Sequence, residues 1–321
     1  MRIGIVGTGI SGLVAAHCLS RDHDLTVFEA QSHVGGHTLT SEIEWHGRTY
    51  HVDAGFIVFN EENYPNLVGL FDKLGVESQS TSMSFSVKCE RTGLEYAGTS
   101  LDTLFAQRRN LVNWTYLRML RDIARFNRAG KELLRSGGVA PELGQVLREG
   151  GYSRAFIEQY LIPLGAAIWS TSPERMLGFP ATFFLRFLDN HALLQLNGRH
   201  VWRSVKGGSF RYIEPLTRPF ADRIRLETPV RRVRRERDGV RVETLSGDVE
   251  RFDQVVIATH SDQALRMLEE PMEPEREVLG AIPYQRNEAT LHTDSSVLPK
   301  SRRAWASWNY HVPAEEVDRV V

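Results

Sequence analysis

The first twenty residues, MRIGIVGTGISGLVAAHCLS (residues 1–20), carry the strongest structural signal in the chain. Arg2 to Val6 is a short apolar run of strand character. Gly7-Thr8-Gly9-Ile10-Ser11-Gly12 follows it directly and opens a helical pattern that continues to about Ser20. Leu25 to Phe28 reads as a second strand, ended by Glu29. Together these make a β-α-β unit of about thirty residues. In such a unit the first glycine makes the tight turn, the second lets a pyrophosphate approach the backbone, and the third lets the helix pack on the sheet. The phosphates then sit at the positive helix N-terminus. Gly7, Gly9, Ile10, Ser11 and Gly12 are therefore expected to hold a dinucleotide. Glu29 is placed to accept hydrogen bonds from the adenosine ribose, and its charge would repel a 2′-phosphate, which argues against NADP.

Outward from this unit, composition limits the remaining possibilities. The chain has 321 residues, of which 41% are hydrophobic and 25% charged, with a formal net charge of -1. That is the balance of a soluble globular protein, and nothing in it points to a nucleic-acid partner. The two cysteines, Cys18 and Cys89, make neither a disulfide scaffold nor a metal site, so a reducing, cytoplasmic setting is expected. Cys18 reads as a small core residue of the first helix. The opening MRIGIVGTG runs straight into a strand, unlike a signal peptide, and no apolar stretch is long enough to span a bilayer.

Residues 40–60 alternate in a strand-like way around Gly47, which predicts a hairpin, and residues 64–74 are helical in pattern. Residues 101–135 read as helical and strongly basic. Eight cations (Arg108, Arg109, Arg118, Arg121, Arg125, Arg128, Lys131, Arg135) against Asp102, Asp122 and Glu132 give +5. Leu111, Trp114, Leu117 and Leu120, spaced by three, are expected on one apolar face. Such a segment either is solvated and packed, or lies on an anionic membrane surface. A helix-rich stretch follows from residue 141 to 197, broken at 170–173 and 178–180. Strands then return: Lys206-Gly207-Gly208 turns into a helix, Asp238-Gly239 makes a hairpin, and residues 252–259 read as one buried strand.

Two further glycine sites stand out. Gly35-Gly36-His37-Thr38 leaves backbone N–H groups open to an anion. Asp53-Ala54-Gly55-Phe56 is a second, weaker close-approach site, in which Ala54, Gly55 and Phe56 are cofactor candidates.

VGTGISGLVAA, the strand ending FEA, GGHTLT and DAG together resemble the flavin amine oxidase superfamily, which includes amine oxidases, protoporphyrinogen oxidases and phytoene desaturases. The resemblance implies FAD as cofactor. It carries contact with the FAD pyrophosphate to Gly35, Gly36 and Thr38, beside His37. WRSVKGGSFRYIEPL, TPVRRV and FDQVVIATHSDQAL are similar to the family's returning FAD-domain block. There Val230 takes the role of a backbone contact to adenine, and the strand ending Ala258-Thr259-His260 approaches the flavin. The insertion, with NHALLQLNGRHVW, AIWSTSPERMLGFPA, LHTD and ASWNYH, resembles a bacterial subgroup labelled as NAD/FAD-binding proteins. Its members often lie beside genes for cyclopropane fatty acyl phospholipid synthase-like enzymes, which implies a functional link to such an enzyme and a lipid-like substrate; the peripheral membrane contact expected here rests on the basic helical stretch.

Two departures from the family stand out. Many amine oxidases carry a lysine near the flavin; the equivalent stretch, Asn287 to Asp294, has none and offers His292 as the catalytic candidate. The family's closing FAD-domain segment has no counterpart before Val321, and Asp318 to Val321 read as the start of a strand. Trp305, Trp308 and Tyr310 alternate and are read either as a flavin-pocket wall or as core.

The expected fold is α/β: a discontinuous Rossmann-type FAD-binding domain (residues 1–60 and 206–267) with a mainly helical substrate domain (61–205 and 268–321). The expected activity is FAD-dependent oxidation of a small-molecule or lipid-like substrate, with neither metal nor nucleic acid. The alternatives are an NAD-dependent dehydrogenase, which leaves GGHT and Thr-Pro-Val unexplained, and a non-catalytic flavin or lipid carrier.

Overall fold

In the computed structural model, which describes residues 1–137, 141–195 and 198–315, β1 (Arg2–Val6) lies inside a four-stranded parallel sheet. β1 pairs on one side with β2 (Asp24–Phe28) and on the other with the strand Gln254–Ile257. A two-residue strand, Ile224–Arg225, extends the sheet beyond β2. Burial explains the apolar runs: Ile5 and Val27 are fully buried, and Phe28 nearly so. The helix α1 (Ile10–Leu19) packs Leu13 and Ala16 against this sheet. Cys18, expected in the core, is exposed, because the packed face of α1 is the one bearing Gly12, Leu13 and Ala16.

The hairpin of β3 (Thr40–Trp45) and β4 (Arg48–Asp53) turns at His46-Gly47 as expected, with both residues at positive φ. A three-stranded antiparallel sheet is built from Val230–Glu236, Gly239–Thr244 and Val249–Phe252. The continuous buried strand expected over 252–259 is instead two pieces. Phe252 ends the antiparallel sheet, and Gln254–Ile257 joins the parallel one, where it is only half-buried because it is an edge strand.

The chain divides into two units. The first comprises Met1–Phe59, Tyr64–Gln79 and Arg203–Thr290; the second comprises Asn60–Asn63, Ser80–Trp202 and Leu291–Val321. These borders differ from the expected ones. The helix α2 (Pro65–Leu74) joins the first unit because Phe71 packs edge-on against Phe59 and beside Tyr212. Residues 268–290 also join it, partly through Ser261 Oγ, which donates to the Leu279 carbonyl at 2.9 Å.

The second unit is mainly helical. Its core gathers Tyr116, Met119 and Phe126 of the helix Trp114–Ser136 with Phe156, Phe184 and Leu188. The parallel strands Phe85–Cys89 and Trp308–Val312 flank this core, so Tyr310 is a packing residue. Trp305 is partly exposed, donating its indole N–H to the Pro299 carbonyl at 2.7 Å. The expected breaks appear at Ser170, which has positive φ, and between the helices Pro173–Leu177 and Ala181–Asn190.

The apolar face expected from Leu111, Trp114, Leu117 and Leu120 does not form. Leu111 and Trp114 are exposed, and Leu111 lies in a separate 3₁₀ turn. A step of three residues drifts by about 60° per repeat around a helix of 3.6 residues per turn, so these positions fan out instead of stacking. Asp318 to Val321 and Asn197 lie outside the described residues.

Candidate cofactor site

The site is built where β1 and the strand Gln254–Ile257 end side by side. Gly7 has φ +101° and donates its N–H to the Phe28 carbonyl at 2.8 Å. A Cβ on Gly7 would come within 2.8 Å of the Ala258 carbonyl oxygen, so only glycine lets the turn pass beside that strand. A Cβ on Gly12 would lie 1.9 Å from the Gly7 carbonyl oxygen, which fixes the close packing of α1 on the loop. Gly9 is different. It is the N-cap of α1, no side chain caps the helix, and a Cβ there would meet nothing within 4 Å. The open space therefore faces the unsatisfied N–H groups of a helix start, where a pyrophosphate is stabilised by hydrogen bonds and by the helix dipole.

Glu29 is buried below this turn. One carboxylate oxygen accepts the Thr8 N–H at 2.9 Å and the Thr8 hydroxyl; the other accepts the Gln31 N–H at 2.8 Å. An ionised carboxylate offers about four acceptor positions, so capacity remains for a ribose hydroxyl. The residues 225–228 are fastened alongside: Glu29 N–H donates to the Arg225 carbonyl at 2.9 Å and Thr228 N–H to the Glu29 carbonyl at 2.8 Å. Val230, two residues beyond Thr228, begins the strand Val230–Glu236 and packs against the cluster that holds Phe28, the residue before this acid. The Thr-Pro-Val block and the acid at the end of β2 are thus brought together from opposite ends of the unit.

The second glycine pair closes over the loop. Gly35 N–H donates to the Thr8 carbonyl at 3.0 Å, and a Cβ on Gly36 would lie 2.9 Å from the Gly9 Cα. Both glycines have positive φ. Thr38 is buried, and its hydroxyl is engaged with Tyr212 instead of facing the open space. His37 is exposed and stacks on His260 (5.3 Å between ring centroids), which stacks in turn on Tyr284 (4.5 Å). Thr259 lies beside Gly7, its methyl 3.4 Å from where a Gly7 Cβ would be.

The 53–56 segment has a structural cause that spacing alone did not reveal. A Cβ on Gly55 would lie 1.8 Å from the His37 carbonyl oxygen, so this glycine lets the segment pack on the Gly35–Thr38 loop. Ala54 N–H donates to the Leu39 carbonyl at 2.9 Å, and Phe56 joins Phe59 and Tyr212 in an aromatic cluster. The Asp53 carboxylate accepts the Ser209 N–H (2.9 Å), the Ser209 hydroxyl (2.9 Å) and the Thr40 hydroxyl (2.5 Å).

His292 falls in the second unit, in exposed coil instead of the expected strand, and its ring nitrogen accepts the Asp294 N–H at 3.1 Å. Among the described residues no group of His, Cys, Asp and Glu could hold a metal, and no helix is long and apolar enough to cross a membrane.

The model of the flavin-containing amine oxidoreductase family matches residues 10–293, and the chain belongs to that family. FAD is its cofactor, and the open cradle at Gly9 together with the pre-positioned Glu29 suits it. Among solved structures the chain is similar to a putrescine oxidase variant, with a TM-score of 0.65 and 20% identity over 87% of this chain and 63% of the other. It is also similar to cyclohexylamine oxidase from Brevibacterium oxydans (TM-score 0.67, 18% identity, 87% and 62% covered). A CLA-producing fatty acid isomerase from P. acnes matches with a TM-score of 0.61 and 18% identity, over 87% and 63%. These likenesses establish a mixed α/β fold, and the chain spans less than two thirds of the length of each. No curated protein matches the chain in sequence. Family membership leaves the NAD-dependent dehydrogenase alternative without support.

Proposed function

We propose that the first unit is a Rossmann-type FAD-binding domain, that the second is the substrate domain, and that the protein is an FAD-dependent oxidoreductase of the cytoplasm. The observation that carries this reading is the packing of three elements around the Gly9 helix start: the uncapped start itself with its open space, the buried Glu29 tied to Thr228 from the far end of the sequence, and the Gly35-Gly36 pair. Bound FAD supplies the capacity to take a hydride from a C–H bond. The chain's own residues do the rest. N–H groups at the start of α1 neutralise pyrophosphate charge, Glu29 fixes the ribose, and the backbone at Val230 meets the adenine. Thr259, beside Gly7, and His260, stacked on His37, would line the site next to the helix start when FAD is bound.

The substrate class is a small amine or an acyl chain. The solved neighbours named for putrescine, cyclohexylamine and a fatty acid support this range; a functional link to a cyclopropane fatty acyl phospholipid synthase-like enzyme is part of the proposal and would place the substrate on the lipid side. Since His292 is exposed and bonded to its own turn, we assign it no part in catalysis.

Two measurements test the proposal. Purified protein is expected to show a flavin absorption spectrum, and anaerobic mixing with amines and with fatty acids is expected to bleach it for one class. Protein that neither contains nor takes up FAD overturns the cofactor site. Protein that holds FAD but is reduced by neither class is a carrier, and the oxidoreductase reading fails.

A further inference from the structure

We propose that the outer face of the helix Trp114–Ser136, with the turn before it, is a docking surface for an anionic lipid bilayer. The helix buries Tyr116, Met119, Phe126 and Gly130. On the opposite side, Trp114, Arg118, Arg121, Arg125 and Arg128 follow at steps of four, three, four and three, which stacks them in one stripe along the helix. Arg135 continues it, and Glu132, four residues beyond Arg128, places one acid on the same stripe. Among the described residues, none of Arg118, Arg121, Arg128 and Arg135 makes a salt bridge within its unit. Arg125 is held in place, its guanidinium 4.2 Å from the Tyr152 ring centroid and 3.3 Å from the Asp122 carboxylate, so the open charge of the stripe comes from the other arginines.

The second observation is apolar. Leu111, Val112 and Trp114 precede and open the helix and are 53%, 86% and 82% exposed. Asn110 and Tyr116 hold the turn from beneath: Asn113 caps the helix by accepting the Tyr116 N–H at 3.2 Å, and the Tyr116 hydroxyl donates to the Leu104 carbonyl at 2.6 Å. The three large apolar side chains are therefore presented to solvent by an ordered turn. Single exposed apolar residues need no explanation, but a cluster of this kind marks a contact surface.

The distribution of charge favours a bilayer over an acidic protein. A protein interface places its apolar residues at the centre and its charges at the rim. Here the centre of the face is arginine and the apolar group lies at one end of a helix about 35 Å long. A flat anionic surface satisfies both parts at once: the arginines meet phosphates, and Trp114 with Leu111 and Val112 enters the boundary between headgroups and acyl chains.

The test uses full-length protein and vesicles of phosphatidylcholine with and without phosphatidylglycerol. Sedimentation is expected with phosphatidylglycerol only, weakening as salt is raised. Arg118→Ser with Arg121→Ser is expected to weaken binding about twenty-five-fold, at roughly fivefold per arginine near the surface. Brominated lipid is expected to quench tryptophan emission in the native chain, and Trp114→Phe is expected to abolish most of that quenching while retaining sedimentation. Binding that is equal with and without phosphatidylglycerol, or undiminished in the double arginine variant, overturns the proposal. So does binding to polyglutamate with none to the vesicles, which would assign the face to an acidic protein. No step requires flavin or turnover, so the outcome is independent of the proposed oxidoreductase activity.

Discussion

Glu29 and Thr8 are joined twice, through the Thr8 N–H at 2.9 Å and through the Thr8 hydroxyl, and both atoms reach the same carboxylate oxygen. The acid proposed to meet the ribose therefore also holds the glycine turn proposed to meet the pyrophosphate. Glu29→Ala removes both the fastening and the ribose acceptor. Charge-assisted hydrogen bonds are worth about 1.5–3 kcal/mol each, so FAD affinity is expected to fall by at least tenfold. FMN, which lacks the adenosine, is expected to lose less. Calorimetric titration of both flavins checks this; equal losses would mean that Glu29 acts on the turn alone.

Gly9 and Gly12 are expected to separate ligand binding from folding. A side chain on Gly9 enters open space, at an ordinary φ of -63°, so Gly9→Glu is expected to leave the apo-protein's melting temperature nearly unchanged while flavin is lost. Gly12→Ala places a Cβ 1.9 Å from the Gly7 carbonyl oxygen and is expected to cost about 3 kcal/mol of folding stability. Stoichiometric FAD in purified Gly9→Glu protein would sink the assignment of the cradle.

Asp122 gives the helix Trp114–Ser136 a pH dependence. Its carboxylate accepts the Ser153 N–H at 2.9 Å and lies 3.3 Å from the Arg125 guanidinium, with only 1% of the side chain exposed. Burial pushes this carboxyl up, but the hydrogen bonds from Ser153 and the Arg125 charge outweigh it, and the net direction is below the ordinary carboxylate value. A depressed folded-state value means stability that is present above the unfolded pKa, about 4, and is lost as pH falls through the folded value. Asp122→Asn keeps the shape without the charge. Its deficit in Tm is expected to be largest near neutral pH and to shrink as pH falls below about 4 toward the depressed folded-state value, where the native carboxyl also becomes neutral. Melts across that range decide it: a deficit that does not change with pH would assign the loss to packing.

These residues also show what was legible in the sequence. The glycine turn and Glu29 could be read because strand, turn, helix and acid lie within thirty residues, and each glycine answers a local geometric need. Asp53 was seen only as part of a close-approach site, because its main partner, Ser209, is 156 residues away. Thr8 gave no signal beyond filling a motif position, since only the folded turn brings it over Glu29. Leu111 and Trp114 misled because spacing by three resembles a helical stripe without being one. His292 was singled out by analogy with a strand, yet Asn287 to Asp294 is exposed coil.

Asp53 supplies the last prediction, because it links the hairpin to the loop that covers the cofactor cradle. Its carboxylate takes the Ser209 N–H and hydroxyl together with the Thr40 hydroxyl. Ser209 opens the short helical segment that carries Tyr212, bonded to Thr38, and Ile213, whose Cδ1 would meet a Gly35 Cβ at 2.7 Å. Asp53→Ala leaves these donors without an acceptor and is expected to lower folding stability by about 2 kcal/mol. Because Gly35 lies against Ile213 and Thr38 is bonded to Tyr212, FAD binding is expected to weaken several-fold as well. Asp53→Asn retains one acceptor oxygen and is expected to fall between the two. Chemical denaturation of the apo-protein and FAD titration of the same samples measure the pair. A full loss of stability with unchanged FAD affinity would show that the Gly35–Thr38 loop holds its shape without support from the hairpin.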